Sequence, residues 1–224
     1  MNRAAIFQGV LALALMAAPG LSEATQPGGM AVGQITYGGN RAGAAICTGT
    51  LVSDRVVLTA GHCLRTGGKA AAMEPSDVHF APGWRDGSAP AFRSGAEVIL
   101  SNGSGLSNDL ALLVLDEPVP PEIATPLTLA AATPSEGTLT FVGYSREEPD
   151  SPSIQNCTLF GKDKGVLGLG CEAVSGNSGA PLLEQTEAGW LVVGVMVARS
   201  RQLGLVGSYG AVPGPDLVAR IAQP

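Results

Sequence analysis

The chain has 224 residues, with 31 glycines, 16 prolines and only 14% charged side chains. That composition suits many short strands joined by turns better than a helical bundle, and the length allows one large core or two small ones. A formal net charge of −6 with no run of Lys or Arg argues against nucleic acid and anionic membrane surfaces as partners.

The first residues read as an export signal. Arg3 supplies a positive start, Ala4 to Ala18 is almost wholly apolar apart from Gln8, and Ser22-Glu23-Ala24 places small residues where a signal peptidase inspects the chain. We therefore expect residues 1–24 to be removed. The apolar stretch is short for a membrane anchor, so no stable membrane association is expected, and the mature protein is placed in the periplasm or the medium. Export turns the four cysteines into a disulfide question with three pairings. A metal site is the rival reading of those thiols, but no close Cys-x-x-Cys is present and His62 has only His79 as a fellow histidine, so neither a metal nor another cofactor is expected.

Residues 25–43 are Gly-rich and weakly patterned, with a strand expected over Val32 to Tyr37. Ile46 to Val52 and Arg55 to Thr59 read as a hairpin around Ser53-Asp54 that ends near His62. Residues 65–76 read as a surface loop, followed by strands at Val78 to Ala81 and Ala96 to Ser101. The apolar run Leu110 to Leu115, bounded by Asp109 and Asp116, has the character of a buried strand. Pro118, Pro120, Pro121 and Pro126 are unfit for a central strand and suggest a crossing between two units. Beyond it, strands are expected at Thr138 to Gly143, Ile154 to Phe160, Gly168 to Cys171, Ala180 to Leu183, Trp190 to Ala198 and Val206 to Val212. A short helix from Pro215 to Ala222 closes the chain, with Leu217, Val218 and Ile221 as its apolar residues.

Three stretches carry chemistry. In Gly176-Asn177-Ser178-Gly179-Ala180-Pro181 a serine is bracketed by glycines, which suits a tight turn holding the hydroxyl clear of the backbone with N–H groups free to converge on one point. Leu58-Thr59-Ala60-Gly61-His62-Cys63 presents a histidine just after an apolar run, and Asn108-Asp109-Leu110-Ala111-Leu112-Leu113 presents an aspartate at the mouth of another. Taken singly, these are also an ordinary turn, a core histidine and a turn cap. In this order they resemble the trypsin/chymotrypsin-like serine proteases, whose signatures are T-A-A-H-C, D-[IL]-A-L-[LI] and G-D-S-G-G-P. The resemblance runs from about Cys47 to Val212 and extends to Gly207-Ser208-Tyr209-Gly210-Ala211-Val212, which is similar to the family's G-V-Y-T-x-V strand.

The resemblance implies an all-β protein of two packed six-stranded antiparallel β-barrels, chymotrypsin-like, with a short C-terminal helix. The N-terminal barrel would occupy 25–120 and the C-terminal barrel with its helix 121–224. It implies an exported serine endopeptidase acting on protein or peptide substrates, and a monomer is expected. Ser178 would attack the carbonyl to give an acyl-enzyme, with His62 as base and later acid. Asp109 would orient the imidazole, and the N–H groups of Gly176 and Ser178 would form the oxyanion hole. The family's histidine-loop bridge implies Cys47–Cys63, which leaves Cys157 to pair with Cys171. His79 matches no motif and is expected to be structural.

Four departures from the pattern bear on function. Asn177 stands where digestive members carry an aspartate that pairs with a newly released N-terminus, so an oxyanion hole formed without zymogen cleavage is expected. Nothing like Ile-Val-Gly-Gly lies the expected distance before Cys47, a region that falls at Leu21 to Ala24 inside the export signal. Gly61 replaces the alanine before the histidine and would add backbone freedom at the base. Glu172, six residues before Ser178, sits at the offset where trypsin-like members hold the acid that receives Lys or Arg, and is equally an ordinary solvated glutamate. Cys171 also lies closer to Ser178 than the family's usual bridging cysteine there. Gly207 matches a position where a small residue keeps the substrate pocket open. The alternative function is a catalytically silent binding protein that keeps the chymotrypsin fold; such relatives usually lose a triad residue, and all three are present here.

Overall fold

A computed structural model describes residues 26–38, 45–68, 71–200 and 207–223. The expected export signal and its cleavage point lie outside the described residues.

Six strands build the first barrel: β1 (Val32–Tyr37), β2 (Ala45–Leu51), β3 (Val56–Ala60), β4 (Val78–Pro82), β5 (Arg93–Leu100) and β6 (Leu110–Leu115). They close in the order β1-β2-β3-β6-β5-β4, each pair antiparallel, with β4 returning to pair with β1. The unbroken apolar sequences of β3 and β6 follow from this closure. Both strands are buried along their whole length, and they lie side by side with Val57 opposite Leu113 and Leu58 opposite Leu112. Closure also leaves no open sheet edge on this barrel.

The second barrel is built from β8 (Gly137–Gly143), β9 (Ser153–Asp163), β10 (Val166–Leu169), β11 (Pro181–Thr186), β12 (Gly189–Arg199) and β13 (Ser208–Ala211). The order is β11-β8-β9-β10-β13-β12, and pairing of β12 with β11 closes it. A two-residue strand, β7 (Thr128–Leu129), runs parallel along β12 outside the ring. Nothing in the sequence marks β7, because a two-residue strand has no periodicity. The expected strand at Gly168 to Cys171 is displaced to Val166–Leu169, since the ladder is irregular between Gly168 and Leu169 and the chain then leaves it to reach the disulfide. A seven-residue helix, α1 (Pro215–Ile221), follows β13 and buries Leu217.

The proline-rich crossing is tied down by its own backbone. Val119 N–H donates to Asp54 O at 2.8 Å and Leu127 N–H donates to Leu51 O at 2.9 Å, so the segment lies along the β2–β3 hairpin. One apolar cluster fills the first barrel and continues through Val142, Tyr144, Val195 and Val197 of the second, which packs the barrels against each other. A second cluster, with Leu139, Phe141, Leu159, Leu167 and Leu182, fills the other end of the second barrel.

Both disulfides follow the pairing implied by the resemblance. Cys47–Cys63 spans 16 residues and joins β2 to the turn carrying His62, and Cys157–Cys171 spans 14. On the loop-closure model, each stabilises the fold by about 3 kcal/mol. His79 on β4 meets Ser94 Oγ of β5 through Nδ1 at 3.1 Å.

Candidate active site

The buried strand β3 delivers the chain into a single tight helical turn, Gly61–Leu64, which carries His62. Asp109 directly precedes the neighbouring strand β6. Because β3 and β6 are paired up to Ala60 and Leu110, the two residues leave the ladder side by side. Gly61 N–H donates to Asp109 O at 2.9 Å. The Asp109 carboxylate then accepts two bonds from His62: Oδ1 from the backbone N–H and Oδ2 from Nδ1–H, both at 2.7 Å. This arrangement fixes the Nδ1–H tautomer and leaves Nε2 without a partner among the described residues. The His62 side chain is 45% exposed and that of Asp109 21%, so the imidazole faces the solvent while the carboxylate is partly shielded behind it.

Ser178 reaches the same place from the second barrel. Its carbonyl accepts from Thr48 N–H of β2 at 2.8 Å, and the Cys63 sulfur, one residue beyond His62, lies 3.8 Å from that carbonyl oxygen. The serine is therefore anchored by a backbone hydrogen bond to β2, the strand that the disulfide ties to the histidine turn. Gly176 and Gly179 bracket it with φ of 105° and 87°, a left-handed backbone that glycine adopts freely. At Gly179 a Cβ would fall 2.0 Å from Thr48 O, so the close seating of this turn on β2 itself demands glycine.

A buried polar network that no motif signals holds the turn. Thr48 Oγ1 donates to Gly176 O at 3.0 Å and accepts from Tyr144 N–H at 2.9 Å, while Thr59 Oγ1 donates to Thr48 O at 2.8 Å. Asn177, fully buried, accepts from Val174 N–H through Oδ1 and donates to Tyr144 O through Nδ2, each at 2.8 Å. Tyr144 O–H donates to Trp84 O at 2.9 Å; burial pushes this phenol far above its ordinary range, opposed only in part by the nearby Arg85 charge. Among the described residues, the N–H groups of Gly176 and Ser178 donate to no protein group. The turn that carries Ser178 thus holds two backbone donors without a protein partner among the described residues.

A cavity of about 180 Å³ opens beside Ser178, lined by Ala173, Val174, Ser175, Met196, Ala198 and Arg199. The structure does not bring Glu172 to it: that residue is exposed and absent from the lining. Gly207 is not in the lining either, but its carbonyl accepts from Ser200 N–H at 2.8 Å, next to Arg199. Gly61 also differs from expectation. A Cβ there would come within 2.9 Å of Asp109 Oδ1, so close approach to the carboxylate, rather than freedom at the base, is what the glycine provides. Cys47, His62 and Cys63 offer ligand atoms within 4.8 Å of one another, but both sulfurs are bound in the disulfide, which leaves no thiolate for a metal.

The fold is similar to that of known proteases. A structure titled as a Glu endopeptidase in complex with MPD aligns with a TM-score of 0.72 and 21% identity over 87% of this chain and 89% of its own. A thermostable serine protease, AL20, from an extremophilic microorganism aligns with a TM-score of 0.68 and 19% identity over 86% of this chain and 94% of its own. No curated protein matches the chain. The family model for the trypsin-like peptidase domain matches from Cys47 to Val195, well over half of the sequence. The chain therefore belongs to the trypsin-like peptidase domain family and is a serine-type endopeptidase.

Proposed function

We propose that the protein hydrolyses peptide bonds through Ser178, His62 and Asp109. His62 Nε2 takes the Ser178 proton as Oγ attacks the carbonyl carbon, and later returns it to the leaving amine. Asp109 keeps the Nδ1–H tautomer and stabilises the imidazolium. The N–H groups of Gly176 and Ser178 receive the oxyanion, each worth about 3 kcal/mol in the transition state. Water then resolves the acyl-enzyme by the same route. The observation that carries this reading is the pair of hydrogen bonds that the Asp109 carboxylate accepts from His62, beside a serine turn whose carbonyl is held by Thr48.

The internal partners of Asn177 support an oxyanion loop that is formed as synthesised. An uncharged, fully bonded side chain needs no ammonium group, so no activating cleavage is required. Two disulfides suit an oxidising compartment, which supports export after removal of residues 1–24. We take 25–120 and 121–224 as the two units of the mature chain, acting as a monomer in the periplasm or medium.

The test is labelling of the purified, disulfide-intact protein with a fluorophosphonate, with the adduct located by mass spectrometry. We expect modification at Ser178 that is lost in Ser178→Ala and His62→Ala. Folded protein that resists the probe would instead point to the silent binding protein.

A further inference from the structure

The cavity beside Ser178 has two walls of different character. Ala173, Val174 and Ser175 form one as the chain climbs toward the serine, and Met196, Ala198 and Arg199 at the end of β12 form the other. Among the described residues these side chains are small or apolar with one exception, Arg199, the only ionisable group they contribute to the lining. It is exposed and has no ion pair among the described residues. Its backbone is nevertheless fixed. Arg199 pairs with Ser208 of β13, the next residue is held by Gly207, and an irregularity between Met196 and Ala198 bends the strand just before it. Bulges of this kind re-aim the side chains that follow them.

In an acyl transfer at Ser178, the residue that supplies the scissile carbonyl must direct its side chain into space adjoining the serine, and this cavity adjoins it. A guanidinium bordering the cavity, without an ion pair among the described residues, can take a carboxylate through two parallel N–H donors, while a Lys or Arg side chain would meet a like charge. Glu172, the acid expected to select basic residues, is exposed and forms no ion pair with Arg199 among the described residues. We propose that Arg199 is the specificity-determining residue and that the enzyme cleaves after acidic residues. This inference rests on the reading of Ser178 as the nucleophile.

The test uses internally quenched peptides that differ only in the residue before the scissile bond: Glu, its neutral isostere Gln, Leu or Lys. We expect kcat/KM for Glu to exceed that for Gln by about tenfold or more. The preference should shrink as salt is raised. Arg199→Gln should bring the Glu-to-Gln ratio close to one, Arg199→Lys should keep part of it, and Arg199→Glu should turn the preference toward Lys. Reading a ratio within each variant separates lost specificity from lost folding. A wild-type enzyme that is labelled at Ser178 yet treats Glu and Gln alike, or prefers Lys, overturns this inference and leaves the serine reading intact. A ratio that survives Arg199→Gln overturns it too. Failure of the wild type both to label and to cleave overturns the two together.

Discussion

Asp109 holds His62 by backbone and ring at once, with one carboxylate oxygen on each N–H at 2.7 Å. Asp109→Asn keeps an acceptor for one bond but turns an amide N–H₂ toward the other donor. If the amide faces the ring, the imidazole must take its other tautomer and can no longer accept a proton through Nε2. We expect kcat to fall by about 10⁴-fold with little change in KM or melting temperature, as tautomer loss does in such triads. Steady-state kinetics beside a thermal melt checks this; a loss below tenfold would show that the pair does not govern the tautomer.

The glycine before the histidine belongs to the same contact. Gly61→Ala places a methyl 2.9 Å from Asp109 Oδ1, so the carboxylate must retreat from His62. Because the family signature carries alanine at this point, a small shift of the carboxylate can take up the methyl, and we expect kcat to drop by about threefold while the fold survives. Unchanged kcat in a folded variant would mean that the turn absorbs the methyl without moving Asp109.

Asn177 is a buried amide with both ends satisfied, by Val174 N–H and Tyr144 O. Asn177→Asp replaces the donor to Tyr144 O with an oxygen, setting two acceptors face to face and burying a charge that has no ammonium partner. We expect a loss of about 2–3 kcal/mol, read from the denaturant midpoint, together with slower fluorophosphonate labelling. Equal stability of the two proteins would refute the role given to the amide.

Tyr144 supplies a pH signature. Its phenol, buried and bonded to Trp84 O, has its folded-state pKa raised above the unfolded value of about 10. The linkage has one sign. Stability from the neutral phenol is fully present below the unfolded pKa and is lost as pH rises above it toward the folded value. Tyr144→Phe should be less stable than the wild type by about 1 kcal/mol at pH 8, and that gap should narrow or reverse above about pH 10. Denaturant titrations of both proteins across this range test it, and a gap independent of pH would contradict the assignment.

Much of this protein was legible in one dimension, because local pattern and global packing agree there. The apolar run of β6 is a strand buried along its whole length, and β1 begins and ends where its residues suggest. The order of His62, Asp109 and Ser178 within their motifs came from the chain itself, whereas the two cysteine pairs were implied by the family resemblance, since four thiols alone allow three pairings. Other features have no local signal. β7 exists only because β12 offers it a partner, and Thr48 looks like any β-branched strand residue until the serine turn comes to rest on it. The cavity wall is the sharpest case. Sequence offset drew attention to Glu172, but the irregular end of β12 puts Arg199 in the lining instead. Sequence by itself determined which groups are available for catalysis, since spacing and residue type are local. Which of them meet, and which charge borders the cavity, was decided only by the tertiary structure, because barrel closure and strand register bring together residues far apart in the chain.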